Sequence, residues 1–148
     1  MTRSILVSVL CVLLLLLGSV CVSPAAEGGG YKVIVNSGNG VTRLSKAELS
    51  KFFMKKEARW RDGTTVVPVD QKVDAAVRVA FSRAIHGKSA RAVKSYWQQQ
   101  IFSGRGVPPV EKGSDAAVLE YVRNNAGAIG YISELASAAG VTVLEVTD

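Results

Sequence analysis

Apolar and polar positions follow two rhythms along this chain, one of period two and one near 3.6. A stretch with neither rhythm comes first. From Ile5 to Leu17 the residues are apolar except for Ser8. Met1-Thr2-Arg3 precedes this run with one positive charge, and Ser23-Pro24-Ala25-Ala26 follows it with small residues. A basic start, an apolar middle and a small-residue cut site are the layout of a secretory signal. The run is short and early for a spanning helix. Residues 1–26 are therefore read as a signal peptide cut after Ala25 or Ala26, with an uncleaved anchor as the alternative. The mature domain is then 27–148, entered through the flexible Glu27-Gly28-Gly29-Gly30.

After that lead-in, β-branched runs and helical periodicities take turns. Tyr31 to Val35 reads as a strand and Asn36 to Gly40 as a turn cluster. Ser45 with Glu48 three residues on makes a capping box, and Leu44 with Leu49 can staple the helix that runs to Phe53 or Met54. Trp60-Arg61-Asp62-Gly63 is a turn, and Thr64 to Val69 a second strand. Val77, Ala80, Phe81, Ala84 and Ile85 share one face of a helix that stops at Gly87. Ser89 caps the next helix, with Val93, Tyr96, Trp97 and Ile101 on one side and Gly104 and Pro108-Pro109 ending it. Ser114 caps another, with Val118, Leu119 and Val122 inward. Ala128 to Ile132 is a buried strand, Glu134 to Ala138 a helical turn, and Val141 to Val146 a last strand.

Strands alternating with helices predict an α/β fold: one three-layer domain with a mixed, mainly parallel sheet flanked by helices. On such sheets ligands bind where strands end and helices begin, because helix N-termini present unpaired N–H groups there.

Charge and cysteine usage narrow the chemistry. Both cysteines, Cys11 and Cys21, lie in the signal segment; Val20 is bulky for a lipidation signal at Cys21. The mature domain then has no disulfide and no Cys-based metal site, and with a single histidine, His86, a metal cofactor is not expected. The net charge of +6 loses only Arg3 with the signal. The surplus suits an anionic ligand, an acidic partner or a membrane surface as well as plain solvation. Export and the lack of a basic stripe interleaved with aromatics argue against nucleic acid. No GxSxG, P-loop or HExxH motif is present, so no enzyme activity is expected.

Several short pieces, in order, carry a resemblance. They are Val33 to Asn36, Leu44 to Leu49, Phe52-Phe53, Trp60 to Gly63, Val66 to Val69, Phe81, Ile101 to Gly106, and Gly127 to Tyr131. Together they resemble the periplasmic phosphate-binding proteins of phosphate ABC transporters, as one lobe of a type II periplasmic binding protein standing alone. The resemblance implies a non-enzymatic, periplasmic or secreted solute-binding-like protein for phosphate or another small anion. A membrane transporter or envelope protein would be its partner. In that family an Arg precedes a Ser-Gly-Thr stretch at a helix N-terminus. Here Asp70 stands in place of the Arg and Asp74-Ala75-Ala76 in place of Ser-Gly-Thr. Two hydroxyl donors are gone, and a carboxylate about 4 Å from a phosphate costs about 4 kcal/mol at an effective dielectric near 20. A domain that has kept the fold and lost the ligand, acting as an accessory or sensor unit for a protein partner, is the alternative.

The candidate ligand-binding residues are Ser37, Gly38, Asn39, Gln71, Lys72, Asp74 and Arg105. Ser37-Gly38-Asn39 reads as a backbone nest for an anion or as an ordinary turn. Lys72 and Arg78 either restore positive field beside Asp74 or pair with Asp70 and Asp74. Asp74 itself can cap the helix that follows it. Arg105, in the Ser103-Gly104-Arg105-Gly106 loop, either grips an anion or faces solvent behind a helix C-cap. Trp60 and Trp97 are read as core, and His86 as a cation favoured by a helix C-terminus.

Overall fold

The computed structural model describes residues 29–148. The signal-peptide reading of 1–26 lies outside the described residues. Among the described residues no helix is long and apolar enough to cross a membrane. In chain order the elements are β1 (Tyr31–Asn36), β2 (Arg43–Ser45), α1 (Lys46–Phe53), β3 (Val67–Gln71), α2 (Ala76–His86) and α3 (Ala90–Phe102). After these come β4 (Val110–Lys112), α4 (Asp115–Asn124), β5 (Ala128–Ser133), β6 (Val141–Val143) and β7 (Glu145–Thr147).

Five strands form one sheet in the order β4-β3-β5-β1-β6, and β2 with β7 forms a small parallel ribbon. β3 runs parallel to both β4 and β5, while β1 runs antiparallel to β5 and β6. The fold is thus the expected α/β arrangement with a mixed, mainly parallel sheet. Direction decides which loops can meet. The carboxyl ends of β3, β4 and β5 share an edge with Tyr31, which pairs with Ser133. The turn that follows Asn36 is at the opposite edge.

Period-two alternation sorts the side chains into two cores. Val33, Val35, Ile129 and Tyr131 pack against Leu49, Phe52, Phe53, Val77, Phe81 and Ile85 of α1 and α2. Ile34, Val69, Ala128 and Ile132 point the other way, against Val118 and Val122 of α4. Phe81 stacks on Tyr131 at 3.9 Å between centroids, and Trp60 donates its indole N–H to the Gly127 carbonyl at 3.0 Å. Gly130 sits under α4, where a Cβ would lie 2.7 Å from Val118 Cγ1; only glycine allows that approach.

The capping signals of the sequence are realised. Ser45 and Glu48 close a capping box, and Ser89 and Ser114 accept N–H bonds from the first turns of α3 and α4. Gly87 ends α2 at φ 60°. Three expectations need correction. The second strand is Val67–Gln71 rather than Thr64 to Val69, because Thr65 bridges back to Arg59. Glu134 to Ala138 is a hydrogen-bonded turn, not helix. The last strand divides at the buried Leu144, with β6 pairing with β1 and β7 with β2.

Candidate functional site

The chain leaves β3 at Gln71 and enters α2 at Ala76, at the carboxyl edge of the sheet. Beneath this turn lies a buried polar network. Asp70 is buried in β3 and pairs with Arg78 of α2, Nη1 to Oδ1 at 2.5 Å. It also accepts from the Tyr131 hydroxyl and, at 3.0 Å, from the Gln71 N–H. Burial pushes the Asp70 carboxyl up, while Arg78, Tyr131 and Gln71 pull it back. Burial, and next the charge of Asp70, push the Tyr131 hydroxyl far above its ordinary range. The resemblance implies that Asp70 stands where a phosphate-binding lobe has its Arg. The structure turns that carboxylate inward and neutralises it, so its charge is spent on Arg78.

Gln71 is buried as well. Its Nε2 donates to Asp115 Oδ1 at 2.8 Å and to the Tyr131 carbonyl at 3.0 Å. Its carbonyl accepts from Arg78 Nη1 at 2.6 Å. Burial opposes ionisation of Asp115, but hydrogen bonds from Ser133 and Gln71 outweigh it and hold the carboxyl below its ordinary range. Gln71 thus braces β3 to β5 and α4 through its side-chain amide N–H groups.

Lys72 is exposed, and its Cε reaches toward Gly113 in the turn between β4 and α4. Asp74 is exposed too, and it does not cap α2, contrary to the capping expectation. The N-cap is Ala75, whose methyl cannot accept a hydrogen bond, and no side chain takes its place. The first-turn N–H groups of α2 are thereby left without a capping side chain.

Ser37, Gly38 and Asn39 occupy the far edge of the sheet. Gly38 N donates to Asn36 Oδ1 and Asn39 N to the Asn36 carbonyl, both at 2.9 Å. Asn36 Nδ2 in turn donates to the Val122 and Arg123 carbonyls at the end of α4. These N–H groups are already occupied, and the nearby helix end is the negative one. Arg105 lies in a third place, exposed beyond the C-cap of α3, with its backbone N bonded to the Gln100 carbonyl. The seven candidates therefore do not form one site: Gln71, Lys72 and Asp74 share the β3–α2 turn, and the rest lie elsewhere. His86 also differs from its sequence reading. Burial, and next the charge of Arg78, push its imidazole down to about 4, so it is neutral at neutral pH. Its Nδ1 lies 2.9 Å from Ser50 Oγ. Among the described residues no group of His, Cys, Asp and Glu could hold a metal ion.

No family model matches the sequence, and no curated protein matches it either. Solved structures do. The chain is similar to a proposed phosphate ABC transporter substrate-binding protein of Clostridium perfringens, solved with bound phosphate. That match has 20% identity and a TM-score of 0.63, and covers 79% of this chain and 44% of that one. An ABC-type phosphate transport receptor of Vibrio cholerae matches at 18% identity and a TM-score of 0.64, over 80% of this chain and 47% of that one. PstS of Borrelia burgdorferi matches at 12% identity and a TM-score of 0.54, over 80% and 47%. The chain spans less than half the length of these proteins, and what it shares with them is the α/β fold of one lobe of a phosphate-type binding protein.

Proposed function

We propose that this chain is a non-enzymatic, exported solute-binding-like module that takes a small oxyanion, phosphate or one like it, at the β3–α2 turn. The observation that carries this reading is the uncapped first turn of α2 at the carboxyl edge of β3. Backbone N–H groups there meet an anion with the helix dipole behind them. Lys72 adds a flexible positive charge, and Asp74 sets a limit on affinity by repulsion. The inward pairing of Asp70 with Arg78 supports the reading, because it removes one of the two carboxylates that would oppose an anion. The fold shared with phosphate-binding proteins supports it too, and the half-length match is consistent with a second protein, such as an ABC-type transporter component, completing the site. Export to the periplasm follows from the reading of residues 1–26. Isothermal titration of residues 27–148 with inorganic phosphate tests the proposal. Binding at about millimolar or tighter, about −4 kcal/mol, is expected; no saturable heat in that range would contradict it.

A second reading, an accessory or sensor domain for an envelope protein, is favoured by a different surface. Ile101, Phe102, Val107 and Val110, within five residues of Arg105 along the chain, are exposed, with Phe102 97% accessible. Exposed large apolar groups close together along a chain favour a contact surface. Under this reading a Phe102→Asp variant loses an envelope partner that the unaltered protein retains in cross-linking, whatever its response to phosphate.

A further inference from the structure

A cavity of about 200 Å³ opens between β3, α2, α3 and the Pro108-Pro109 segment. Its polar floor is the Asp70–Arg78 pair. Arg78 is 5% exposed and spends Nη1 on Asp70 and on the Gln71 carbonyl. Its Nε and Nη2 donate to no acceptor among the described residues. Neither atom is among the buried polar atoms that lack a partner, so both are open to solvent, and an acceptor set against them can form charge-assisted bonds. The three partners of Asp70, Arg78, Tyr131 and Gln71, all meet its Oδ1, so the pair stays fixed through that one oxygen. Lys94 adds a second positive charge to the lining and Glu111 a negative one.

The walls are of another kind. Trp97, Ile101 and the two prolines give the cavity a mainly apolar surface. A bare phosphate placed here would leave oxygens unpaired against Val73, Ile101 and the prolines. Trp97 Nε1, buried without a partner among the described residues, is the one donor of the wall, and each stranded lone pair costs free energy. A molecule with one anionic end and one apolar end meets both surfaces at once. The volume corresponds to about six or seven waters, room for about ten non-hydrogen atoms.

We propose that this cavity binds a small organic carboxylate with an apolar or aromatic tail, its carboxylate on Arg78 and Lys94 and its tail against Trp97. The site uses the side chains of Arg78 and Lys94 rather than the first-turn N–H groups of α2, and does not depend on the oxyanion reading. The two tryptophans of the chain are Trp60 and Trp97. In a Trp60→Phe protein the emission reports Trp97 alone, and benzoate is the probe. A saturable emission change with benzoate, at least about tenfold weaker with the uncharged benzyl alcohol, is expected. Lys94→Met should weaken benzoate several-fold, and Ile101→Trp should block it by filling the wall. If Trp60→Phe does not fold, the indole N–H resonances of the unaltered protein give the same readout by NMR. No saturable response to benzoate up to about 10 mM would overturn the proposal. So would equal responses to benzoate and benzyl alcohol, an unchanged response in Lys94→Met, or displacement of benzoate by equimolar phosphate.

Discussion

The β1 turn and the β3 turn sit at opposite edges of one sheet, and both read as anion cradles in the sequence. The β1 turn is rich in the residues that favour such a cradle, Asn36, Ser37, Gly38 and Asn39. Those residues close it. Asn36 bonds forward to Gly38 and Asn39 and across to the carbonyls ending α4. The β3 turn is poor in hydroxyls, and Ala75 at the N-cap leaves the first turn of α2 open. Side chains that can donate and accept locally satisfy their own turn first. Availability of N–H groups to a ligand is therefore greatest where such side chains are missing.

The hardest way to break this contrast is to attack what supports the open turn. Arg78→Met leaves Asp70 buried without its cation and should cost about 3–5 kcal/mol in urea unfolding. Asp70→Asn in the same background should recover much of that loss, since the stranded charge is gone. Next in size is a pH effect at the other end of α2. His86 is neutral when folded, with its imidazole pushed down to about 4 against an ordinary 6.5. The unfolded chain takes up this proton first as pH falls. The contribution is complete above about pH 6.5, is lost between 6.5 and 4, and levels off below. Its steepest slope is about 1.4 kcal/mol per pH unit, less after allowance for the ring's partial exposure. A His86→Gln variant should flatten that segment of the stability–pH curve.

Two milder substitutions sharpen the contrast directly. Asn36→Ala removes the bonds that close the β1 turn and should cost about 1–2 kcal/mol while leaving phosphate binding unchanged. Ala75→Ser supplies the missing cap and should stabilise by about 0.5–1 kcal/mol in the same unfolding assay. The added hydroxyl competes for the same N–H groups, so calorimetry should find phosphate bound more weakly.

How much of this was readable in advance depends on whether a feature is local. The caps at Ser45, Ser89 and Ser114 and the stop at Gly87 are settled within one helical turn, and they appear where the sequence puts them. β2 and β4 were invisible because three-residue strands exist only through their partners. Asp70 and Gln71 look like loop residues. They extend β3 because Arg78, Tyr131 and Asp115, distant in sequence, satisfy them. The sequence offers Asp74 as a cap, but the N-cap position falls on Ala75. The grouping of Ser37 with Lys72 failed for a simpler reason: sequence carries no strand direction, and β1 runs against β5. Trp97 is interior, as its helical spacing predicts, but the cavity it lines arises from α3 and the Pro108-Pro109 segment meeting over β3.

Backbone amide NMR during a phosphate titration asks which turn receives the anion. Progressive, saturable shifts at Ala76, Val77 and Arg78, with Gly38 and Asn39 unmoved, are the expected result. Shifts at Gly38 and Asn39, or no saturable change at the start of α2, would contradict the account.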